Sequence, residues 1–233
     1  MPPKRFLDAV ILDVDGTLYD AARMRRVFAP WLAGQLVRSP IATTRALRVV
    51  RAYRHAHESL RGERHADLAL AQLTRAAATL AVAPGELAPV INAWFERAPL
   101  PAVGRAARPG LRSALERLRA AGLRLAVLSD YPPEGKLEAL GITSLIDVIQ
   151  CAQHPSVGTL KPDPTGLLGV MRQLGVEASR TVYVGDRPEL DEAVAAAAGC
   201  RAAIIGARTP ASPQTSRFRD FATLADWCLA VRG

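Results

Sequence analysis

Short apolar runs alternate with helical periodicity along most of this 233-residue chain. The run 9–12 is too short for a helix and closes in a turn, so it predicts a buried strand. After residue 108, further strands are predicted over 123–128, 145–149, 181–184 and 202–205. Predicted helices cover 110–121, 164–174, 189–198 and 221–231, with a shorter one around 137–140. This alternation predicts an α/β fold with a parallel sheet covered by helices on both faces.

The segment 19–107 has a different pattern. It is rich in Ala, Arg and Leu at helical spacing, which predicts helices over 20–37, 41–61, 65–82 and 85–97. We therefore expect an α/β core formed by 1–18 and 108–233, interrupted after its first strand by an all-helical insert, called the cap below. The chain crosses between them near 18–19 and 104–108, where we expect hinges. The Pro-, Ser- and Thr-rich stretch 207–217 predicts a surface loop.

Charge is concentrated in the cap. The net charge of the chain is +8, and the cap holds 13 Arg against 6 acidic residues. An electropositive lid of this kind would draw in small anionic substrates, and Arg25 and Arg26 lie close enough to the first strand to contribute.

Targeting and cysteine usage predict the compartment. No apolar run approaches the roughly 20 residues of a membrane span, and the first strand begins too early to leave room for a signal peptide. The three cysteines, Cys151, Cys200 and Cys228, are scattered, which favours reduced thiols over a disulfide framework or a zinc site. We expect a cytoplasmic protein that is not inserted in a membrane.

Polar residues follow the predicted strands where the carboxyl ends of a parallel sheet bind ligands. Asp13 and Asp15 follow the first strand, and paired acids there suit a divalent cation, a carboxylate nucleophile or an acid/base partner. A hydroxyl, as on Ser129, donates to a phosphoryl oxygen, and a lysine between prolines supplies a point cation. The later candidates at strand ends or in the loops after them are Ser129, Asp130, Lys161, Asp186 and Asp191.

The order of these motifs resembles the haloacid dehalogenase superfamily. Asp-x-Asp-Gly-Thr is followed by Ser, then Lys-Pro, then Gly-Asp-x-x-x-x-Asp, from Asp8 to about Cys200. The cap falls where that superfamily inserts a helical cap of its first type. The resemblance implies a Rossmann-like three-layer core.

The resemblance also implies roles. Asp13 matches the nucleophile that becomes an aspartyl-phosphate, and Asp15 matches the acid that protonates the leaving oxygen and then activates water. Gly16 and Thr17 belong to the loop that holds the phosphate, Ser129 and Lys161 match the groups that hold the phosphoryl, and Asp130 stands where relatives often have Asn. Mg²⁺ is implied as the cofactor, with the ligand set Asp13, Asp15 through its backbone carbonyl, Asp186 and, in support, Asp191.

Phosphomonoester hydrolysis is the predicted reaction. Asp15 argues against a dehalogenase, whose halide leaving group needs no proton. The cap contains no lysine, which argues against phosphonoacetaldehyde hydrolase, since that enzyme forms a Schiff base with a cap lysine. Two alternatives stay open: a phosphomutase of the β-phosphoglucomutase type, and a protein that binds or processes nucleic-acid ends through the Arg-rich cap.

The expected partner is a small anionic phosphate ester, such as a sugar phosphate, a phosphoglycolate-like compound or a nucleotide. Nucleic acid is disfavoured because few aromatics lie among the cap arginines, and both a monomer and a homodimer are compatible with the sequence. Trp31, Trp94 and Phe95 are predicted to lie in the helical core of the cap. His55, His57 and His65 are predicted to be solvated or partly packed, since residues i and i+2 do not share a helix face.

Overall fold

The protein is described here by a computed structural model that covers residues 7–206 and 215–232. Its sheet has six parallel strands in the order β3-β2-β1-β4-β5-β6. The strands are β1 (Ala9–Leu12), β2 (Arg124–Ser129), β3 (Val148–Cys151), β4 (Thr181–Gly185), β5 (Arg201–Ile205) and β6 (Ser216–Phe218). All four residues of β1 are buried, because the strand lies between two neighbours and under helices on both faces.

Ten α-helices are found in the described residues. Those after β1 are α1 (Ala21–Arg38), α2 (Pro40–Ser59), α3 (Leu68–Leu80), α4 (Pro84–Ile91), continued by the π-helical Asn92–Arg97, and α5 (Leu100–Arg105). Those after residue 110 are α6 (Leu111–Ala120), α7 (Glu134–Ala139), α8 (Thr165–Leu174), α9 (Pro188–Ala198) and α10 (Phe221–Arg232). The Asp20 and Asp67 side chains accept hydrogen bonds from backbone amides of the first turns and so set where α1 and α3 begin.

Two apolar layers sandwich the sheet and confirm the predicted fold class. On one face, Val10 and Leu12 pack with residues of α6 and α10 such as Leu115 and Leu224. On the other face, Ala9 and Ile11 pack with residues of α8 and α9. The alternation along β1 follows from the two-residue period of a strand. The core is thus a three-layer α/β sandwich.

The sequence pattern was wrong at three places. The strand predicted over 145–149 is observed at Val148–Cys151, because Thr143–Leu145 form a 3₁₀ turn. Helix α5 was not predicted. Strand β6 overlaps the end of the predicted loop 207–217, of which 207–214 fall outside the described residues; its three residues form an edge strand that is too short to show a period.

The structure bears on membrane spans and cysteine pairing within residues 7–206 and 215–232. Among them, no single helix is long and apolar enough to cross a membrane, although Leu68–Leu80 and Pro84–Arg105, bent by 109°, pass that test as a pair by length and composition. The three cysteines are unpaired thiols.

The cap contacts the core at more places than its two covalent crossings. At the crossings, Tyr19 and Ala107 form an antiparallel bridge. A third connection joins Arg64 to Thr159 through another bridge, and the His65 amide donates to the Gly158 carbonyl at 2.8 Å. Apolar residues seal this contact: Leu60, Leu68, Ala152 and Leu160. A cap motion about the two crossings would therefore have to break this third connection or carry the 157–161 loop along.

Two predictions for cap side chains need correction. Trp31 is partly exposed, stacked on Phe28 and edge-on to Trp94, so it belongs to a surface aromatic group and not to the buried core. His57 is fully buried, because its ring stacks on Tyr131 at 4.2 Å between centroids. Helical spacing showed neither result, since Trp31 depends on how the cap helices pack on one another and His57 on which core residue lies opposite α2.

Candidate active site

The central strands of the sheet bring the first and last acidic motifs together. β1 and β4 pair in register with Leu12 opposite Val184, and the Asp13 amide donates to the Val184 carbonyl at 2.8 Å. Asp13 and Asp186 therefore leave the sheet side by side. The chain order reverses across the β1 neighbours β2 and β4, and such a reversal opens a crevice at the carboxyl ends of the strands.

Lys161 is the centre of the site. Its ammonium donates to Asp13 Oδ1 at 2.7 Å, to Asp191 Oδ1 at 2.9 Å and to the Tyr183 hydroxyl at 3.2 Å. The residue is only 6% exposed. Burial alone would lower its pKa, but Asp13, Tyr183 and Asp191 outweigh burial and hold the pKa well above its ordinary value. Lys161 is thus a permanent buried cation between two carboxylates.

Asp13 and Asp186 form a second pair of carboxylates with too little positive charge between them. The Thr17 hydroxyl lies 2.9 Å from Asp13 Oδ2 and 3.3 Å from Asp186 Oδ1, so it donates to one of them at a time. Burial raises the pKa of Asp13 to about 7, and Asp191 and Asp186 add to the rise while Lys161 opposes it. Burial and Asp191 raise the pKa of Asp186 to about 6. A cation at this pair would favour the charged form of both carboxylates.

These donors fit Mg²⁺. Mg²⁺ takes hard oxygen ligands and is usually bound by only one or two protein carboxylates. Across residues 7–206 and 215–232, no group of three or more His, Cys, Asp or Glu side chains is arranged to hold a metal. The Asp15 carboxylate is bound to other side chains, and Asp191 is held by Lys161 and by the Arg187 amide at 2.8 Å. Lys161 takes one oxygen of Asp13, so Asp13 Oδ2 and the Asp186 carboxylate remain as the side-chain donors.

Gly16 makes the close approach of the two acidic loops possible. Its φ is +90°, and a Cβ there would lie 2.2 Å from Asp186 Oδ2. Arg108 holds the same turn from the other side, since its guanidinium donates to the Gly16 carbonyl at 2.7 Å and to the Thr17 carbonyl at 2.9 Å. The turn after β1 is therefore held in place by a residue 92 positions away.

Asp15 has its own partners and a different electrostatic environment. The Tyr19 hydroxyl donates to its Oδ1 at 2.5 Å, and the Lys136 ammonium lies 2.7 Å and 2.6 Å from its two oxygens. Burial pushes the pKa of Asp15 upward, but Lys136 and Tyr19 outweigh burial and lower it. Asp13 and Asp15, two residues apart, thus have pKa values shifted in opposite directions.

Asp130 connects the site to the cap. Arg61 of the cap donates to Asp130 Oδ2 at 3.2 Å and to the Lys161 carbonyl at 2.7 Å. His57 Nε2 lies 3.5 Å from the same Asp130 oxygen. Burial would raise the pKa of Asp130, but Lys161, His57 and Arg61 hold it far below its usual range. Ser129 is fully buried, and its hydroxyl accepts the Tyr131 amide at 3.3 Å.

Other predicted residues lie further out. Arg25 and Arg26 are exposed on α1, whereas Arg61 of the cap donates to the Lys161 carbonyl. Arg187, which follows Asp186, contacts Glu189 at 3.1 Å and Glu58 of the cap at 3.6 Å. It forms a partly exposed bridge between core and cap.

The sequence motifs missed several residues that complete the site. These are Tyr19, Arg61, Arg108, Lys136 and Tyr183. One signal was available for Lys136: the chain has 30 basic residues but only three lysines, and two of them lie in this site. The others carry no local signature, because their contacts depend on how distant elements pack.

The fold and the site together define an α/β protein with a cluster of carboxylates, suited to bind a cation, at the carboxyl edge of a parallel sheet. The family model for haloacid dehalogenase-like hydrolases matches residues 7–199. The chain belongs to this family.

Individual relatives and structures add detail. The phosphoglycolate phosphatase of Rhodospirillum rubrum is 36% identical over 140 residues, which make up 56% of this chain and 56% of that protein. The N-acetylmuramic acid 6-phosphate phosphatase of Pseudomonas aeruginosa is 29% identical over 187 residues, 77% of this chain and 74% of that protein. A 2-haloacid dehalogenase structure from Pseudomonas syringae has a TM-score of 0.64 at 23% identity, covering 97% of this chain and 99% of that one, and shows the fold alone. The chain spans about half the length of the phosphoglycolate phosphatases it matches.

Proposed function

We propose that the protein is a Mg²⁺-dependent phosphatase that hydrolyses small phosphomonoesters through an aspartyl-phosphate on Asp13. One observation carries this proposal: Asp13 and Asp15 lie at one strand end and each contacts its own cation, Lys161 for Asp13 and Lys136 for Asp15. Asp13 contacts the buried Lys161 ammonium and shares the Thr17 hydroxyl with Asp186, whereas Asp15 lies at the edge of the site. This placement suits a nucleophile beside the cation that would hold the phosphoryl group, and an acid/base partner beside it.

The two half-reactions use these residues in turn. Asp13 attacks phosphorus, the bond from phosphorus to the leaving oxygen breaks, and Asp15, which enters this step in its protonated form, donates its proton to that oxygen. Asp15 then takes a proton from water, which attacks phosphorus and releases phosphate and the Asp13 carboxylate. Ser129 and Lys161 hold the phosphoryl oxygens.

Mg²⁺ would be held by Asp13, Asp186 and the backbone carbonyl of Asp15, with Asp191 in support. When bound, it would lower the repulsion between an anionic nucleophile and an anionic ester. Asp191 supports the site through its contact with Lys161.

We propose a substrate that carries a carboxylate. Phosphoglycolate and N-acetylmuramic acid 6-phosphate, in the names of the relatives, are both phosphate esters of carboxylic acids. The division into a core of 1–18 and 108–233 and a cap of 19–107 is part of the same proposal, supported by the helices α1–α5 and by the Tyr19–Ala107 bridge. Cytoplasmic location stays a prediction from the sequence.

A panel of esters tests the reaction. With Mg²⁺ we expect phosphate release from at least one of four esters: 2-phosphoglycolate, glucose 6-phosphate, a nucleoside 5′-monophosphate and p-nitrophenyl phosphate. A chelator should abolish this release. Mg²⁺ should also raise the Tm of the wild type, because a ligand bound only by the folded state stabilises it. Asp186→Asn should abolish that rise, whereas the exposed control Asp226→Asn should keep it. No release from any ester would contradict the proposed activity, and full activity with the chelator would contradict the metal dependence.

A second test compares cap arginines. Arg61→Met removes charged hydrogen bonds to Asp130 and to the Lys161 carbonyl, so we expect kcat/KM for the best ester to fall by about 10-fold or more. The double variant Arg25→Met/Arg26→Met changes exposed side chains, and its kcat/KM should stay within about 3-fold of wild type. Steady-state kinetics decides. An equal loss in both variants would favour a general electropositive lid over a specific role of Arg61.

A further inference from the structure

We propose that Lys136 recognises a carboxylate on the leaving group, so that the site selects phosphate esters of 2-hydroxy acids. This inference rests on the proposed phosphatase function and deepens it by naming a specificity-determining residue. Lys136 lies on α7, outside the cap and outside the motifs that identify the family.

The structure holds Lys136 beside the acid that would protonate the leaving group. Its ammonium lies 2.7 Å and 2.6 Å from the two Asp15 oxygens, and its side chain is 13% exposed. Lys136 lies on the short helix α7, which packs closely against α5. A Cβ added to the preceding Gly135 would lie only 3.2 Å from the Leu100 side chain of α5. The Tyr131 ring lies 5.7 Å away on another side. Lys136 is therefore a positioned cation and not a freely moving surface charge.

The other cations near the site are already committed. Lys161 donates to three acceptors, two of them carboxylates. Arg61 is bound to Asp130, to Glu58 and to the Lys161 carbonyl, and Arg108 is bound to the Gly16 and Thr17 carbonyls. Among the described residues, Lys136 has hydrogen bonds to a single group, the Asp15 carboxylate. It is the cation best able to accept a second anionic partner.

Distances then limit which anion fits. A leaving oxygen that is hydrogen-bonded to Asp15 Oδ2, the oxygen nearest Lys136, lies within about 5.5 Å of Nζ, given the 2.6 Å contact and an ordinary hydrogen bond. In a 2-hydroxy acid the carboxylate is attached to the same carbon as that oxygen, and its own oxygens lie about 3 Å away. A carboxylate there can reach Nζ, whereas an anion several carbons further away would lie beyond it.

The proposed reaction takes the Asp15 counter-ion away from Lys136, and an anion on the substrate would replace it. When Asp15 engages the leaving oxygen, at least one of its oxygens turns from Lys136 to the substrate. A mostly buried ammonium that loses its counter-ion is costly, and a carboxylate on the leaving group would replace it. A neutral hydroxymethyl group in the same place would not.

Lysine usage agrees with this assignment. The chain has 30 basic residues, of which only Lys4, Lys136 and Lys161 are lysines. Arginine serves almost everywhere else, including the cap–core contacts of Arg61 and Arg64. Lysine supplies a compact point charge in place of the planar guanidinium fork.

A matched pair of substrates tests the inference. 2-Phosphoglycolate and 2-hydroxyethyl phosphate have the same heavy-atom chain at the leaving oxygen, and only the first carries a carboxylate. In the wild type we expect the carboxylate ester to have the higher kcat/KM. In Lys136→Met the ratio of the two kcat/KM values should fall by about 10- to 150-fold, as expected for the loss of one charged hydrogen bond. Most of this fall should come from weaker binding of the carboxylate ester, seen as a rise in its KM. Lys136→Arg should recover part of the ratio.

The ratio separates recognition from positioning. If Lys136 merely oriented Asp15, both esters would lose activity equally and the ratio would not change, which would overturn the inference. Calorimetric binding of both esters to Asp13→Asn and to Asp13→Asn/Lys136→Met gives a readout without turnover. If both variants preferred the carboxylate ester equally, the role of Lys136 would be overturned. If the wild type hydrolysed neither ester but the double variant lost the binding preference, the role of Lys136 would stand and the phosphatase proposal would be refuted.

Discussion

Replacing Asp13 by asparagine is expected to lower kcat for phosphate release by at least about 10⁴-fold, as for the loss of a nucleophile. Asparagine keeps the shape of the side chain, and its single amide oxygen can still accept from Lys161. Its NH₂ group would face the Thr17 hydroxyl as a donor, and its amide does not form an acyl phosphate. The loss should appear in kcat for every ester that the wild type hydrolyses. Phosphate-release assays with Mg²⁺ provide the measurement.

Stability distinguishes this loss from misfolding. Without a divalent cation, burial and the Asp191 and Asp186 charges disfavour ionised Asp13 and raise its pKa to about 7. A neutral amide removes this repulsion, so the Tm of metal-free Asp13→Asn at pH 8 should be no lower than that of the wild type. Asp8→Asn, which changes a surface carboxylate bound to Arg180, serves as the matched control and should keep activity. Turnover in Asp13→Asn near the wild-type rate would refute the aspartyl-phosphate.

Replacing Lys161 by methionine should affect both folding and catalysis. Lys161 lies between Asp13 at 2.7 Å and Asp191 at 2.9 Å, and all three are nearly inaccessible to solvent. Methionine leaves two buried carboxylates without their cation, for which we expect a loss of about 3–5 kcal/mol in the free energy of unfolding. Loss of a charge-stabilising donor should also lower kcat by about 10²- to 10³-fold. Denaturant unfolding and phosphate release measure the two effects.

A second substitution tests the cause of the instability. In Lys161→Met/Asp191→Asn one of the two unpaired carboxylates is neutral, so part of the lost unfolding free energy should return while activity stays low. The surface control Arg180→Met breaks an exposed pair with Asp8 and should cost less than about 1 kcal/mol. Equal destabilisation by Lys161→Met and Arg180→Met would show that Lys161 is not the counter-ion of a buried pair.

The acidic motifs could be recognised from the sequence because each follows its strand directly. Asp13 comes after an apolar run, and Asp186 comes after another, so periodicity and turn signals locate both. Parallel strands then bring their carboxyl ends to one edge. The structure places Asp13, Lys161 and Asp191 in contact and puts Asp186 beside Thr17, in agreement with that reasoning.

The partners of Asp15 and Asp130 could not be read in the same way. Lys136 lies 121 residues from Asp15, and Arg61 lies 69 residues from Asp130. Both cations lie on helices or loops whose own patterns report only local burial. Arg25 and Arg26 are close to the first strand in sequence but exposed on α1, whereas Arg61 reaches the site from the turn that follows α2.

The sequence by itself determined the α/β alternation, the all-helical segment after the first strand and the strand-end acids. All three follow from signals within about ten residues: hydrophobic period, turn residues and caps. Only the tertiary structure decided which cation faces which carboxylate, where the 157–161 loop meets the cap, and that Asp13 and Asp15 have oppositely shifted pKa values. Those outcomes depend on burial and on charges brought within a few ångströms by packing, and neither can be inferred from local sequence spacing.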